Sequence, residues 1–109
     1  MPKYLVSANY SAGAGVKGLL ADGGTKRVEA VKRLVESVGG KLEAFYFAFG
    51  DTDAFVIIDV PDSVTGAAIS LTVNASGLAS CNAIQLLTAA EIDRAAKMSP
   101  AYDAPGPSA

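Results

Sequence analysis

The stretch Phe45-Tyr46-Phe47-Ala48-Phe49-Gly50-Asp51-Thr52-Asp53-Ala54-Phe55-Val56-Ile57-Ile58-Asp59-Val60-Pro61-Asp62 decides how this chain folds. Aromatic and β-branched residues flank a polar tetrapeptide, the pattern of two antiparallel strands joined by a tight turn. With Gly50 opposite Asp53, Phe49 faces Ala54, Phe47 faces Val56 and Phe45 faces Ile58. Tyr46 then faces Ile57, Ala48 faces Phe55, and Ala44 faces Asp59. Both faces of the hairpin are therefore apolar. The Phe45, Phe47, Phe49, Val56 and Ile58 face suits a layer of helices. Ala44, Tyr46, Ala48, Phe55 and Ile57 remain on the other, where a small antiparallel sheet ordinarily meets water. A second cover is expected, either the chain's own C-terminal helix or another copy of the chain. Small residues beside Phe and Tyr suit sheet-on-sheet packing. The expectation is a homodimer, or a higher even oligomer, with those five residues at its interface.

Outward from the hairpin, Lys3 to Tyr10 alternates as a first strand, with Tyr4, Val6, Ala8 and Tyr10 on one face. Ser11 is placed to cap a short helix carrying Val16, Leu19 and Leu20. Asp22-Gly23-Gly24 interrupts it, and Thr25 opens a stronger helix. There Val28, Val31, Leu34, Val35 and Val38 recur at helical spacing, opposite Lys26, Lys32, Arg33 and Glu36. Gly39-Gly40 stops that helix, Lys41 to Phe49 forms the second strand, and Ala54 to Val60 forms the third. Pro61-Asp62-Ser63 starts another helix, with Val64, Ala67, Ala68, Leu71 and Ala75 as its apolar stripe. Ala79 to Leu87 is a fourth strand. Thr88-Ala89-Ala90-Glu91 is a capping box for a last helix running to about Lys97. The order β-α-β-β-α-β predicts an α+β, ferredoxin-like domain over residues 1–98, with a four-stranded antiparallel sheet under two main helices. The Pro-, Ala-, Gly- and Ser-rich tail, 99–109, is expected to be disordered.

Composition narrows the function classes. The 109 residues are 50% hydrophobic and 18% charged, with a formal net charge of -2, enough apolar content for one cored domain. Acids and bases are interspersed, so no basic stripe awaits a nucleic-acid backbone. No apolar run reaches membrane-span length, and Met1-Pro2-Lys3-Tyr4 leads into a strand without the pattern of a signal peptide. Cys81 has no second cysteine to pair with, which suits a reducing, cytoplasmic setting. The chain has no histidine. Ser-His-Asp catalysis, histidine-ligated haem and the usual zinc triads are excluded on inventory. No metal-ligand spacing occurs.

Several short patterns carry possible chemistry. Gly13-Ala14-Gly15-Val16-Lys17-Gly18 matches G-x-G-x-x-G after a strand. The following strands form a hairpin rather than a parallel pair, so a flexible glycine-rich start to a helix is the better reading. Gly23-Gly24-Thr25-Lys26-Arg27 has the composition of a phosphate loop in the wrong order, and helix capping accounts for it. Asp51 and Asp53 are expected to bond their own turn. Asp59 shares a strand face with Phe55 and Ile57; it is a candidate general base, ligand anchor or ion-pair partner, with the structural role preferred. Tyr10 and Tyr46 are candidate acid–base groups, more often amphipathic core edges. Cys81 has no identifiable base beside it and is expected to be a small buried hydrophobe.

Gly23-Gly24-Thr25-Lys26-Arg27, Gly39-Gly40-Lys41-Leu42, Phe45 to Asp53 and Asp59-Val60-Pro61-Asp62 together resemble the GYD domain family. These are small bacterial and archaeal proteins of the dimeric α/β barrel type, and the resemblance runs from Lys3 to about Asp93. Gly50 and Asp53 match the family's Gly-x-Tyr-Asp turn motif. Thr52 stands where the motif has its tyrosine, so this chain lacks that phenol. The resemblance implies two sheets packed face to face as a dimeric α/β barrel without a cofactor. It also keeps Thr25, Lys26 and Arg27 as ligand candidates, since a helix N-terminus with a hydroxyl and two cations can hold an anion. The expected function is binding of a small, partly apolar metabolite or service as an interaction module. The alternative is a cofactor-independent oxygenase or isomerase acting on an aromatic or carbonyl compound through Tyr10, Tyr46 or Asp59.

Overall fold

The computed structural model describes residues 1–107. Its elements are β1 (Lys3–Tyr10), α1 (Ala14–Ser37), β2 (Lys41–Phe47), β3 (Ala54–Asp59), α2 (Ser63–Ala75), β4 (Ala79–Leu86) and α3 (Ala89–Ala96). The four strands form one sheet in the order β2-β3-β1-β4, and every neighbouring pair is antiparallel. This is the ferredoxin-like α+β arrangement that the element order predicts. The expected disordered tail includes residues 108 and 109, which lie outside the described residues; Lys97 is the C-cap of α3, and residues 98–107 carry no helix or strand.

α1 is one long element with a break. Gly23 has φ 77 and ψ 169 inside it, which divides the helix into the two segments expected from Asp22-Gly23-Gly24. Only a residue without Cβ takes that positive φ freely. Gly24 next to it has a second reason: a Cβ there would stand 3.2 Å from the Phe47 ring. Ser11 acts from just outside the helix. The N-cap position is Gly13 and has no side-chain bond, while the Ser11 hydroxyl accepts the Gly15 N–H at 3.0 Å. The helix stops in a Schellman arrangement, with the Gly39 N–H on Glu36 O and the Gly40 N–H on Val35 O. α2 is capped by Asp62, whose carboxylate accepts from the Thr65 N–H at 2.8 Å. α3 has the full reciprocal box between Thr88 and Glu91.

The hairpin register differs from the expected one by two residues. Phe47 pairs with Ala54, Tyr46 with Phe55, Phe45 with Val56 and Ala44 with Ile57. A shift of two preserves the faces, so Phe45 still faces the helices and Tyr46 still faces away. The connection is longer than the tetrapeptide: β2 ends at Phe47, and the Ala48 N–H closes the loop on Asp53 O at 2.7 Å. Phe49 consequently leaves the helix-side face and is wholly exposed at the loop tip. The longer loop sets this offset, and a separate bulge at Glu43 adds one more residue of slip farther from the turn. The register slips between Leu42 and Ala44, which lets Leu42 and Phe45 both pack against the core although they are an odd number of residues apart.

The core is Val35, Val56, Ile58, Val60 and Ile69, with Tyr4, Val6, Val31, Leu34, Leu42, Phe45 and Val73 packed around it. α1 contributes Val31, Leu34 and Val35 of the expected stripe, whereas Val38 follows the end of the helix and is exposed. α2 is turned the other way. Ile69 is its buried residue and Val73 packs beside it, whereas Val64 and Leu71 of the expected stripe are exposed. Small apolar residues surround this helix, so spacing alone does not single out a face. Gly66 does: a Cβ there would sit 3.2 Å from the Tyr4 ring, and its absence lets α2 settle on β1 by that side.

The opposite side of the sheet carries the row Ala44, Ile57, Leu5, Ile84 across all four strands, with Tyr46 and Phe55 beside it. Tyr46 is 73% exposed, Phe55 42% and Ile84 63%. α3 does not roof them, for it buries none of its own residues. One end of this face is charged. Lys3 Nζ sits 2.7 Å from Asp59 Oδ2 and 2.8 Å from Glu43 Oε1, and these two acceptors raise the ammonium pKa, Asp59 contributing most. No helix among the described residues is long and apolar enough to cross a membrane.

Candidate functional site

Between the sheet and the helices lies an apolar cavity of about 130 Å³. Val6, Ala8, Val56 and Ile58 floor it from the central strands, and α1 and α2 wall it with Ala30, Val31, Leu34, Ile69 and Val73. The polar side chains on its lining are few: Tyr10 at the end of β1, Arg27 from α1 and the thiol of Cys81. Tyr10, Arg27, Val73 and Ala79 also line an adjoining cleft of about 360 Å³. The cavity exists because residues of helix and strand that meet here are mostly small or β-branched. Helix and sheet rest on the bulkier residues around it.

Arg27 is held between two environments. Its Nη1 lies 3.9 Å from Asp22 Oδ2, a long pair with both side chains partly exposed. Its Nε is shielded from solvent and has no acceptor. Its two companions from the sequence go elsewhere. Thr25 and Lys26 are exposed, because successive residues of a helix point about 100° apart and three in a row cannot share one face.

The other candidates divide between the two sides of the sheet. Tyr10 lines the cavity. Tyr46 and Asp59 lie on the opposite face, and Asp59 is engaged by Lys3. The three groups therefore do not converge on one substrate position. Of the expected interface residues, Ala44, Tyr46, Phe55 and Ile57 share the open face, but Ala48 does not. It follows the end of β2 and lines a groove of about 410 Å³ with Val16, Leu20, Phe47 and Phe49.

Asp53 does not bond its own turn as expected. Its carboxylate accepts the Tyr10 N–H at 2.9 Å, and its N–H donates to Ala8 O at 3.0 Å and Asn9 Oδ1 at 2.9 Å. The β2–β3 loop is thus pinned to the end of β1, where Tyr10 enters the cavity wall. Two of the fingerprint glycines are structural, Gly13 through its positive φ and Gly15 through packing. A Cβ on Gly15 would collide with the Leu78 carbonyl, whereas one on Gly18 would meet nothing. Cys81 is buried and clamped by Asn74, whose amide oxygen accepts the Cys81 N–H at 2.9 Å and whose nitrogen donates to Cys81 O at 3.3 Å. Among the described residues no cluster of His, Cys, Asp and Glu could hold a metal ion.

The GYD domain signature matches residues 4–96, almost the whole folded part of the chain. The chain belongs to the GYD domain family. In this GYD domain the motif aspartate, Asp53, is the residue that ties the hairpin loop to β1. The motif glycine, Gly50, has neither a positive φ nor any atom that a Cβ would meet. No curated protein and no solved structure matches the chain.

The sequence reading missed Val6, Ala30 and Val73 as cavity residues. They are ordinary apolar positions, and no local pattern distinguishes a wall from a filled core. Asn74 had a weak signal, an amide in the last turn of α2 just ahead of the following strand.

Proposed function

We propose that this GYD domain works as a face-to-face homodimer that binds a small, partly apolar metabolite in the cavity between its helices and sheet. The observation carrying the binding role is that cavity: apolar walls with Tyr10 and Arg27 at one side, the usual make-up of a small-molecule site. The dimer is supported by the apolar row on the open face, which no part of the chain covers. The two halves fit together physically. Packing two sheets stiffens the floor of each cavity without blocking it, because the cavities lie on the outer, helix-covered sides. The enzyme alternative has less support, since Tyr46 and Asp59 lie across the sheet from the cavity and only Tyr10 borders it.

Native mass spectrometry of protein purified gently from its host tests both parts. The expected species has twice the 11.1 kDa chain mass and carries a small additional mass that collisional activation removes. A bare 11.1 kDa chain at micromolar concentration would defeat the dimer, and loss of all retained mass together with no thermal shift from apolar small molecules would defeat the binding role.

A further inference from the structure

We infer that the ligand of this cavity is a small apolar monocarboxylate, and that the Arg27 guanidinium recognises its carboxylate. The inference rests on the binding role just proposed and names its ligand class. Arg27 Nε is the one buried side-chain nitrogen or oxygen among the described residues that lacks a partner. A guanidinium N–H withdrawn from water without an acceptor is costly and rare in folded proteins. Arg27 also lines the cavity, and among the described residues its guanidinium has only the 3.9 Å pair with Asp22, so a ligand carboxylate supplies an acceptor that the chain does not. A guanidinium presents parallel N–H groups, the geometry that matches a carboxylate.

The rest of the cavity sets the remainder of the ligand. Its walls are aliphatic, with Val6, Val31, Val56 and Ile69 among them, so the body of the ligand is hydrocarbon. At about 130 Å³ the space is close to the roughly 150 Å³ of a dry protein cavity that admits benzene. A phenyl ring or a short branched chain fits this space. Charge limits the head group. Arg27 is the only cationic side chain on the lining, and Asp22 stands 3.9 Å from its Nη1. A single negative charge is matched there; a phosphate dianion would meet Asp22 with no second cation to offset it.

Calorimetric titration of the full chain with benzoate, benzamide and benzyl alcohol tests this. Benzoate is expected to bind at least tenfold more tightly than either neutral compound. Arg27→Met, which keeps the aliphatic stem, should remove that preference while neutral binding persists, and Arg27→Lys should restore only part of it. Ala30→Leu, which fills the cavity from α1, should weaken all three ligands together; circular dichroism establishes that each variant is folded. Equal affinity for benzoate and benzamide would overturn the carboxylate inference and leave the cavity as a neutral-ligand site. Benzoate binding that survives Ala30→Leu, or that is unchanged in Arg27→Met, would also overturn it. If none of the three binds the wild-type chain, both the inference and the binding role fall.

Discussion

Replacing Tyr46 by Asp should abolish the proposed dimer. Tyr46 is 73% exposed in the single chain, and a fully buried aromatic side chain removes roughly 150–250 Å² from water. Covering what is exposed here removes about 150 Å², worth about 4 kcal/mol per chain at ~25 cal/mol per Å². A two-fold symmetric interface counts the residue twice, so about 8 kcal/mol is at stake. That alone approaches the roughly 8 kcal/mol of a micromolar dimer, before the added cost of a carboxylate held in a dry contact. Sedimentation velocity at micromolar concentration should show twice the 11.1 kDa chain mass for wild type and one chain for Tyr46→Asp. Leu71→Asp is the control, since Leu71 is 71% exposed on α2, in the other layer. The reasoning is refuted if wild type is monomeric, or if Leu71→Asp dissociates the protein and Tyr46→Asp does not.

Three further outcomes follow from the geometry. Gly15→Ala should cost about 1–3 kcal/mol in chemical denaturation, the usual cost of overpacking, because its Cβ meets the Leu78 carbonyl, while Gly18→Ala and Gly50→Ala, which meet nothing, should not destabilise. Equal stability of Gly15→Ala would mean that α1 does not rest on the start of β4. Asp53→Ala should cost about 1.5–3 kcal/mol, the range for a hydrogen bond to a charged group, and should raise amide exchange at Tyr10, whose N–H it holds; unchanged exchange there would contradict the loop anchor. Thr65 N–H and hydroxyl hold the Asp62 carboxyl below its ordinary value of 3.8. A depressed carboxylate adds stability above the unfolded value and loses it as pH falls through the folded one. Acid titration followed by circular dichroism should therefore show a loss below about pH 3.8 that Asp62→Asn flattens, and an unaltered profile would exclude that cap as its source.

The element order was legible because each boundary carries its own chemistry: the Gly23 break, the Gly39-Gly40 stop, the Asp62 cap and the Thr88–Glu91 box. Faces of the hairpin were legible because alternation survives a two-residue slip. The slip itself was not, since Ala48 and Phe49 continue the strand pattern although they belong to the loop; nor was the bulge, since nothing local to Lys41-Leu42-Glu43-Ala44 marks Glu43 as an extra residue. The α2 face was hidden because small apolar residues are spread round that helix among Ser and Thr, and Gly66 acts only through a ring on a distant strand. For the site, Arg27 could be named from sequence as a cation at a helix start. Its separation from Thr25 and Lys26, and its shielded Nε, depend on how α1 lies over the sheet.

The Asn74 amide imitates a neighbouring strand for Cys81, giving its outward N–H and C=O the partners that a fifth strand would otherwise supply. At the far margin, the Glu43 bulge spoils the regular spacing that an incoming strand would need. Both borders of the sheet thus discourage lateral addition. With so much uncovered hydrocarbon on one side, the proposed dimer would thereby remain a closed, countable assembly instead of seeding an open-ended fibre.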